Sequence, residues 1–130
     1  MKLRMIQIDT FTDKVLGGNP AAVCPLKEWL DVSLMQAIAA ENNLSETAFF
    51  VPSDEGGYEL RWLTPNVEVG LCGHATLAAG DVVLTDVEPG AAAASFETKS
   101  GTLIVSRDGD SLMMNFPSRP ATAHTAPENL

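Results

Sequence analysis

Three short stretches carry the residue types that do chemistry: Gly18-Asn19-Pro20-Ala21-Ala22, Asn43-Leu44-Ser45-Glu46-Thr47 and Leu71-Cys72-Gly73-His74-Ala75-Thr76. Gly73 opens a segment that reads as a helix, so its first backbone N–H groups lack intrahelical acceptors. Enclosed in protein, such a helix start is a ready site for a carboxylate. His74, on that first turn, can donate a hydrogen bond or shuttle a proton; a hydrogen-bonded core histidine is the equal alternative. Glu46 follows a helix end and precedes an apolar strand. Partial desolvation there raises a carboxylate's pKa toward the range of acid/base catalysis, whereas the plainer reading is a solvated loop glutamate. Asn19 either holds its turn or offers its amide to a ligand. Cys72 precedes the helix start, where the helix dipole favours a thiolate; a small buried hydrophobe is the commoner fate of a free cysteine.

Other familiar chemistries lack their parts. Gly17-Gly18-Asn19 has neither the lysine nor the helix start of a phosphate-binding loop. Cys24, Cys72, His74 and His124 are ligands by type, but no second pair stands at zinc spacing, so no metal and no cofactor is expected. The 8 basic and 17 acidic residues give a net charge of −9, with a sequence pI near 4.4. The excess is spread: 5 Lys and Arg against 9 Asp and Glu up to residue 65, then 3 against 8. Such a chain repels nucleic acid and anionic lipid, and neither is an expected partner. No run of about 18 apolar residues occurs, so no membrane-spanning helix is expected. Two cysteines cannot build a disulfide scaffold, and Met1 to Met5 runs into Asp9 and Asp13 without an apolar signal core. Both features point to a cytoplasmic protein.

The elements that must position these residues fit one domain of 130 residues, 45% of them hydrophobic. Residues 2–11 alternate apolar and polar side chains, as a strand with one buried face does. After the turn cluster Gly17-Gly18-Asn19-Pro20, Ala21 to Leu26 reads as a second strand. Asp31 caps a helix over about 32–43, with Leu34, Ala37, Ile38 and Ala39 as its apolar stripe and Asn42-Asn43 at its end. Thr47 to Val51 and Tyr58 to Leu63 read as strands. His74 to Leu84 is rich in small residues and apolar nearly all round, the mark of a helix buried on every side. Ala92 to Glu97, Thr102 to Ser106 and Ser111 to Phe116 read as an antiparallel meander with tight turns at Ser100-Gly101 and Asp108-Gly109-Asp110. Residues 117–130 have three prolines and no apolar periodicity, as a linker does.

In this order and spacing the stretches resemble the phenazine-biosynthesis PhzF-like family, within the diaminopimelate epimerase-like fold. The resemblance also runs through Ile8-Asp9-Thr10-Phe11, Met35-Gln36-Ala37-Ile38-Ala39, Arg61-Trp62-Leu63-Thr64-Pro65 and Val67-Glu68-Val69. It implies an α+β domain in which a mixed or antiparallel β-sheet curls around a buried central helix, about residues 74–84, with a second helix at about 32–43. It also implies roles. Glu46 matches a glutamate that moves a proton between substrate carbons, and His74 a histidine assisting binding and transfer. Gly73 and Ala75 match positions whose backbone faces the ligand's carboxylate, and Asn19 an asparagine near the substrate. The implied chemistry is cofactor-independent isomerisation or epimerisation of a small carboxylate.

The chain also departs from the family pattern. Members have two such domains with the active site between them, and are about twice this long. Residues 1–116 match the first domain and 117–130 the linker. A second copy of the chain, as a homodimer, or a missing second domain would have to complete the cleft. Gly70 stands where an acidic residue is common, and Asp81 interrupts the apolar helix. Asp81 needs a partner or an exposed end of the fold. Two other functions compete with the glutamate mechanism: an epimerase using Cys72 as thiolate base, and a non-catalytic domain that binds a small carboxylate or only oligomerises.

Overall fold

A computed structural model describes residues 1–129. Five strands come first or flank the first helix: β1 (Ile6–Thr10), β2 (Asn19–Pro25), β3 (Thr47–Pro52), β4 (Tyr58–Leu63) and β5 (Glu68–Val69), with α1 (Val32–Asn42) between β2 and β3. Then come α2 (Gly73–Val82), a π-helical turn (Val83–Val87), and β6 (Ala93–Thr98), β7 (Gly101–Asp108) and β8 (Ser111–Met114). They form one mixed sheet in the order β1-β2-β3-β4-β6-β7-β8, with β5 on β4. Two pairings are parallel, β2 with β3 and β4 with β6. Parallel neighbours need a crossover, and the two crossovers carry α1 and α2. The other pairings are antiparallel, including the β6-β7-β8 meander read from the sequence.

The sheet curls as a half-barrel around α2, which packs against β1, β2, β3, β7 and β8. Ala75, Thr76, Ala78, Ala79, Gly80 and Val82 are buried on it, as are Val83 and Leu84 just beyond. Small side chains make this possible, because backbones must come close for a helix to sit inside a sheet. A Cβ on Gly80 would lie 2.5 Å from Val105 Cγ1 of β7. The opposite sheet face carries a second core, in which Met35 and Ala39 of α1 meet Cys24, Leu26, Phe49, Val51 and Leu63. Side chains alternate along a strand, so covering both faces buries Thr47 through Val51 without a break.

Several expected boundaries move. β1 covers only Ile6–Thr10, ending where Phe11 takes a left-handed backbone, φ 61°. β8 stops at Met114, and Phe116 turns away onto Gly73. The central helix is α-helical to Val82 and then widens into a π turn. α1 faces the core through Met35, Ile38 and Ala39, while Leu34 and Ala37 of the expected stripe are exposed. Asp31 is at the N-cap but makes no side-chain capping bond; its carbonyl accepts from Leu34 and Met35. Asn43 closes the helix in the left-handed region, φ 52°, its N–H donating to the Ala39 carbonyl. Residues 117–129 are exposed and hold no helix or strand, and Leu130 lies outside the described residues.

Candidate active site

The N-terminus of α2 opens beside the chain that enters β3, and the two bring Glu46 to His74. Glu46 Oε2 stands 3.4 Å from His74 Nε2. Ser45 Oγ is 3.4 Å from the same nitrogen, and Cys72 Sγ is 3.4 Å from Nδ1. The imidazole is therefore flanked on both nitrogens. The His74 side chain is 9% exposed and that of Glu46 19%, so the pair is mostly desolvated yet open at the carboxylate.

Each partner is fixed from below. The Ala22 N–H donates to the Glu46 carbonyl at 3.4 Å, extending the β2–β3 ladder one step to hold Glu46. Asn42 Nδ2 donates to Thr47 Oγ1, tying the end of α1 to the start of β3. On the helix side, Thr76 Oγ1 donates to the Cys72 carbonyl at 2.6 Å and accepts from Trp62 Nε1 at 3.0 Å. That chain of two bonds pins the first turn to β4. Gly73 has no room for a side chain, since a Cβ would enter the Phe116 ring. The Phe116 ring, 46% exposed, lies over Gly73.

The site residues read from the sequence fall unequally. Glu46, Cys72, Gly73, His74 and Ala75 come together. Asn19 opens β2 and is exposed; its carbonyl accepts from Thr10 Oγ1. It lies two residues along β2 from the position beside Glu46, about 7 Å away. Cys72 is buried and its thiol is pushed up to about 11 by desolvation. The backbone N–H groups of Ala75 and His74 favour the thiolate, Glu46 opposes it, and burial outweighs the helix start. Cys24 faces the second core, where burial likewise raises its thiol to about 11. His124 is in the exposed tail. Ser45 and Phe116 were not among the sequence candidates; Ser45 beside Glu46 was the available signal. Asp81 is only half-buried and shares a cavity of about 380 Å³ with Asp9, Asp13 and Asp110. Burial raises its carboxyl while Arg107 pulls the other way. Gly70 is exposed, and its carbonyl accepts from Ser100 Oγ.

The family model for phenazine biosynthesis-like proteins (PhzC-PhzF) matches residues 8–128. The chain belongs to this family. An uncharacterized isomerase of Pseudomonas aeruginosa is 52% identical over 130 residues, covering 100% of this chain and 50% of the relative. A human phenazine biosynthesis-like domain-containing protein is 43% identical over 128 residues, covering 93% of this chain and 44% of the relative. Among solved structures, a phenazine biosynthesis PhzC/PhzF protein from Clostridium difficile superposes with a TM-score of 0.84 at 46% identity, over 89% of this chain and 44% of that one. A predicted epimerase from Pseudomonas aeruginosa gives 0.72 at 28% identity, over 85% and 41%. The chain spans about half the length of the relatives it matches. No helix among the described residues is long and apolar enough to cross a membrane.

Proposed function

We propose that this chain carries the Glu46 half of a cofactor-independent isomerase or epimerase acting on a small carboxylate. The observation that carries the reading is the mostly buried Glu46–His74 pair, 3.4 Å apart at the open start of α2. The N-terminal N–H groups of α2, around Gly73 to Ala75, receive the substrate carboxylate. Glu46 takes a proton from the carbon activated by that group and returns it to another carbon or another face. His74 orients Glu46 and holds or relays the proton. Asn19 lies at the rim, where it contacts the rest of the ligand. Residues 1–116 supply one wall of the cleft.

A second domain or a second copy of the chain completes the cleft; we favour the homodimer for the chain alone. The free thiols of Cys24 and Cys72 suit the reducing cytoplasm. A thiolate mechanism at Cys72 is disfavoured, because a thiol at about 11 is protonated at neutral pH.

The test is deuterium wash-in from heavy water into a panel of small carboxylates, followed by NMR. Glu46→Gln is expected to remove exchange by at least about a hundredfold while far-UV circular dichroism stays unchanged. Exchange that survives Glu46→Gln sinks the assignment, and exchange lost on replacing Cys72 with the near-isosteric Ser, but kept in Glu46→Gln, transfers the role to the thiol.

A further inference from the structure

The His74 ring meets different chemistry at its two nitrogens. Nε2 faces oxygen: Glu46 Oε2 at 3.4 Å and Ser45 Oγ at 3.4 Å. Nδ1 faces sulfur, with Cys72 Sγ at 3.4 Å. We propose that Cys72 is a positioning residue: its protonated thiol donates to His74 Nδ1, fixes the imidazole proton on Nε2, and so turns an N–H toward Glu46. A carboxylate can only accept, so the nitrogen beside it is the one that carries the proton. A neutral imidazole has a single N–H, which leaves Nδ1 an acceptor in need of a donor. The thiol is that donor. Burial above all, with the Glu46 charge adding to it, pushes the thiol up to about 11, so sulfur keeps its proton at neutral pH. The tautomer rests on these contacts alone, and only its use in catalysis rests on the isomerase reading.

The local backbone leaves the thiol free for this task. Cys72 stands at the N-cap of α2, yet its side chain makes no capping bond. Its carbonyl is tied to Thr76 Oγ1, and Thr76 to Trp62, so sulfur and ring are held at opposite ends of one short, pinned stretch. An aspartate, a commoner N-cap residue, would present an acceptor to Nδ1 and reverse the tautomer. A thiol is a weak donor that adds no charge. The consequence falls on Glu46. An Nε2–H gives its carboxylate a donor and leaves the second oxygen to the substrate carbon. Once that oxygen has taken the proton, the first still accepts from Nε2–H, so the carboxyl keeps one orientation through both halves of the transfer. No bond to the His74 proton forms or breaks. Of the two roles considered for His74, orienting and relaying, the tautomer selects orienting.

The experiment is nitrogen-15 NMR of the histidine side chains in the labelled, reduced chain at about pH 8, above the ordinary imidazole value of about 6.5. Comparison with His124→Gln assigns the His74 signals. The expected pattern is a proton on Nε2 and a bare Nδ1 whose shift shows an accepted hydrogen bond. Cys72→Ala should move Nδ1 to the shift of an unbonded nitrogen or mix the two tautomers. Cys72→Ser, whose hydroxyl also donates, should keep the original pattern. With a carboxylate that exchanges in the wash-in test, Cys72→Ala should lower kcat about fivefold to tenfold at unchanged KM, and Cys72→Ser should recover most of the loss. A proton on Nδ1 in the unaltered protein overturns the proposal. So does a bare Nδ1 with no accepted bond, which would mean that the thiol serves Glu46 instead, and so does an Nδ1 signal indifferent to Cys72→Ala. Should Cys72→Ala unsettle α2, the first two readings come from the unaltered chain and still decide. The tautomer is read without substrate, so a failed wash-in fells the isomerase reading alone, and a wrong tautomer leaves that reading standing.

Discussion

Glu68 sits between two cations and shows how neighbours set a proton's affinity. Arg61 donates from Nε and Nη2 at 2.8 and 2.7 Å, and Lys99 Nζ lies 3.2 Å away. The Arg61 bonds pull the carboxyl down to about 2 despite partial burial, with Lys99 adding to the effect. A carboxylate depressed by folding stabilises the fold above its unfolded pKa, and that stability fades as pH falls toward the folded value. The window is therefore about pH 4.5 down to about 2. Urea unfolding midpoints should drop through that window, and the drop should be shallower in Glu68→Gln; equal slopes would remove Glu68 from the account. Tyr58 shows the reverse effect. Burial, and then the bond from its hydroxyl to Glu88 at 2.7 Å, push the phenol up to about 12. It is the chain's single tyrosine, so tyrosinate absorbance reads it alone. The midpoint should lie near 12 and fall part of the way toward the ordinary value of about 10 in Glu88→Gln. A midpoint that does not move would mean that burial acts alone. At this scale the sequence carried the identities but not the meetings. Cys72 and His74 are two residues apart and legible as neighbours. Glu46 is 28 residues before His74, and the packing of α2 against β2 and β3 closes that gap. At Cys72, the alternative acid/base candidate, burial raises the thiol more than the helix start lowers it.

Among the elements, α2 was the most legible, while α1 was legible in its bounds but not in its buried face. Ten residues with almost no polar face leave α2 one place to go, inside the sheet. In α1, Leu34 and Met35 are adjacent and both apolar, so period alone cannot choose between two overlapping stripes. The sheet chose Met35, with Gln36 Nε2 donating to the Thr64 carbonyl beside it. β5 escaped notice because two residues hold no periodicity, and it exists through pairing with β4. The packing of α2 on β7 gives a sharp test. Gly80→Ala improves helix propensity by about 1 kcal/mol but forces a methyl onto Val105. Overpacking costs about 1–3 kcal/mol, so a net loss of about 1 kcal/mol is expected in urea unfolding. Val105→Ala in the same chain should recover part of that loss, a coupling absent if the two residues do not touch. A gain in stability from Gly80→Ala alone would mean that α2 is not seated as described.

At the scale of the molecule, the acidic charge and the curled sheet were both foreseen, and the resemblance supplied the half-barrel that composition could not. The loop between β1 and β2 leaves Phe11, Val15 and Leu16 at 73, 91 and 93% exposed, with Phe11 and Leu16 both at positive φ. Such apolar surface seldom stays uncovered. Light scattering on a sizing column should therefore give a mass near twice 13.8 kDa. A monomer at high concentration would refute the dimer and leave the cleft to be completed by a second domain. The position of α2 also governs how the chain reaches its native state. The helix is made after β1 to β5 and before β6 to β8, yet strands from both groups enclose it. Neither parallel pairing can zip from a hairpin, and distant pairings fold slowly. During synthesis the greasiest segment must wait, bare, for its last three strands to emerge. Chaperone demand in the cell, and dye-detected clumping on rapid dilution from urea, should both trace to that interval.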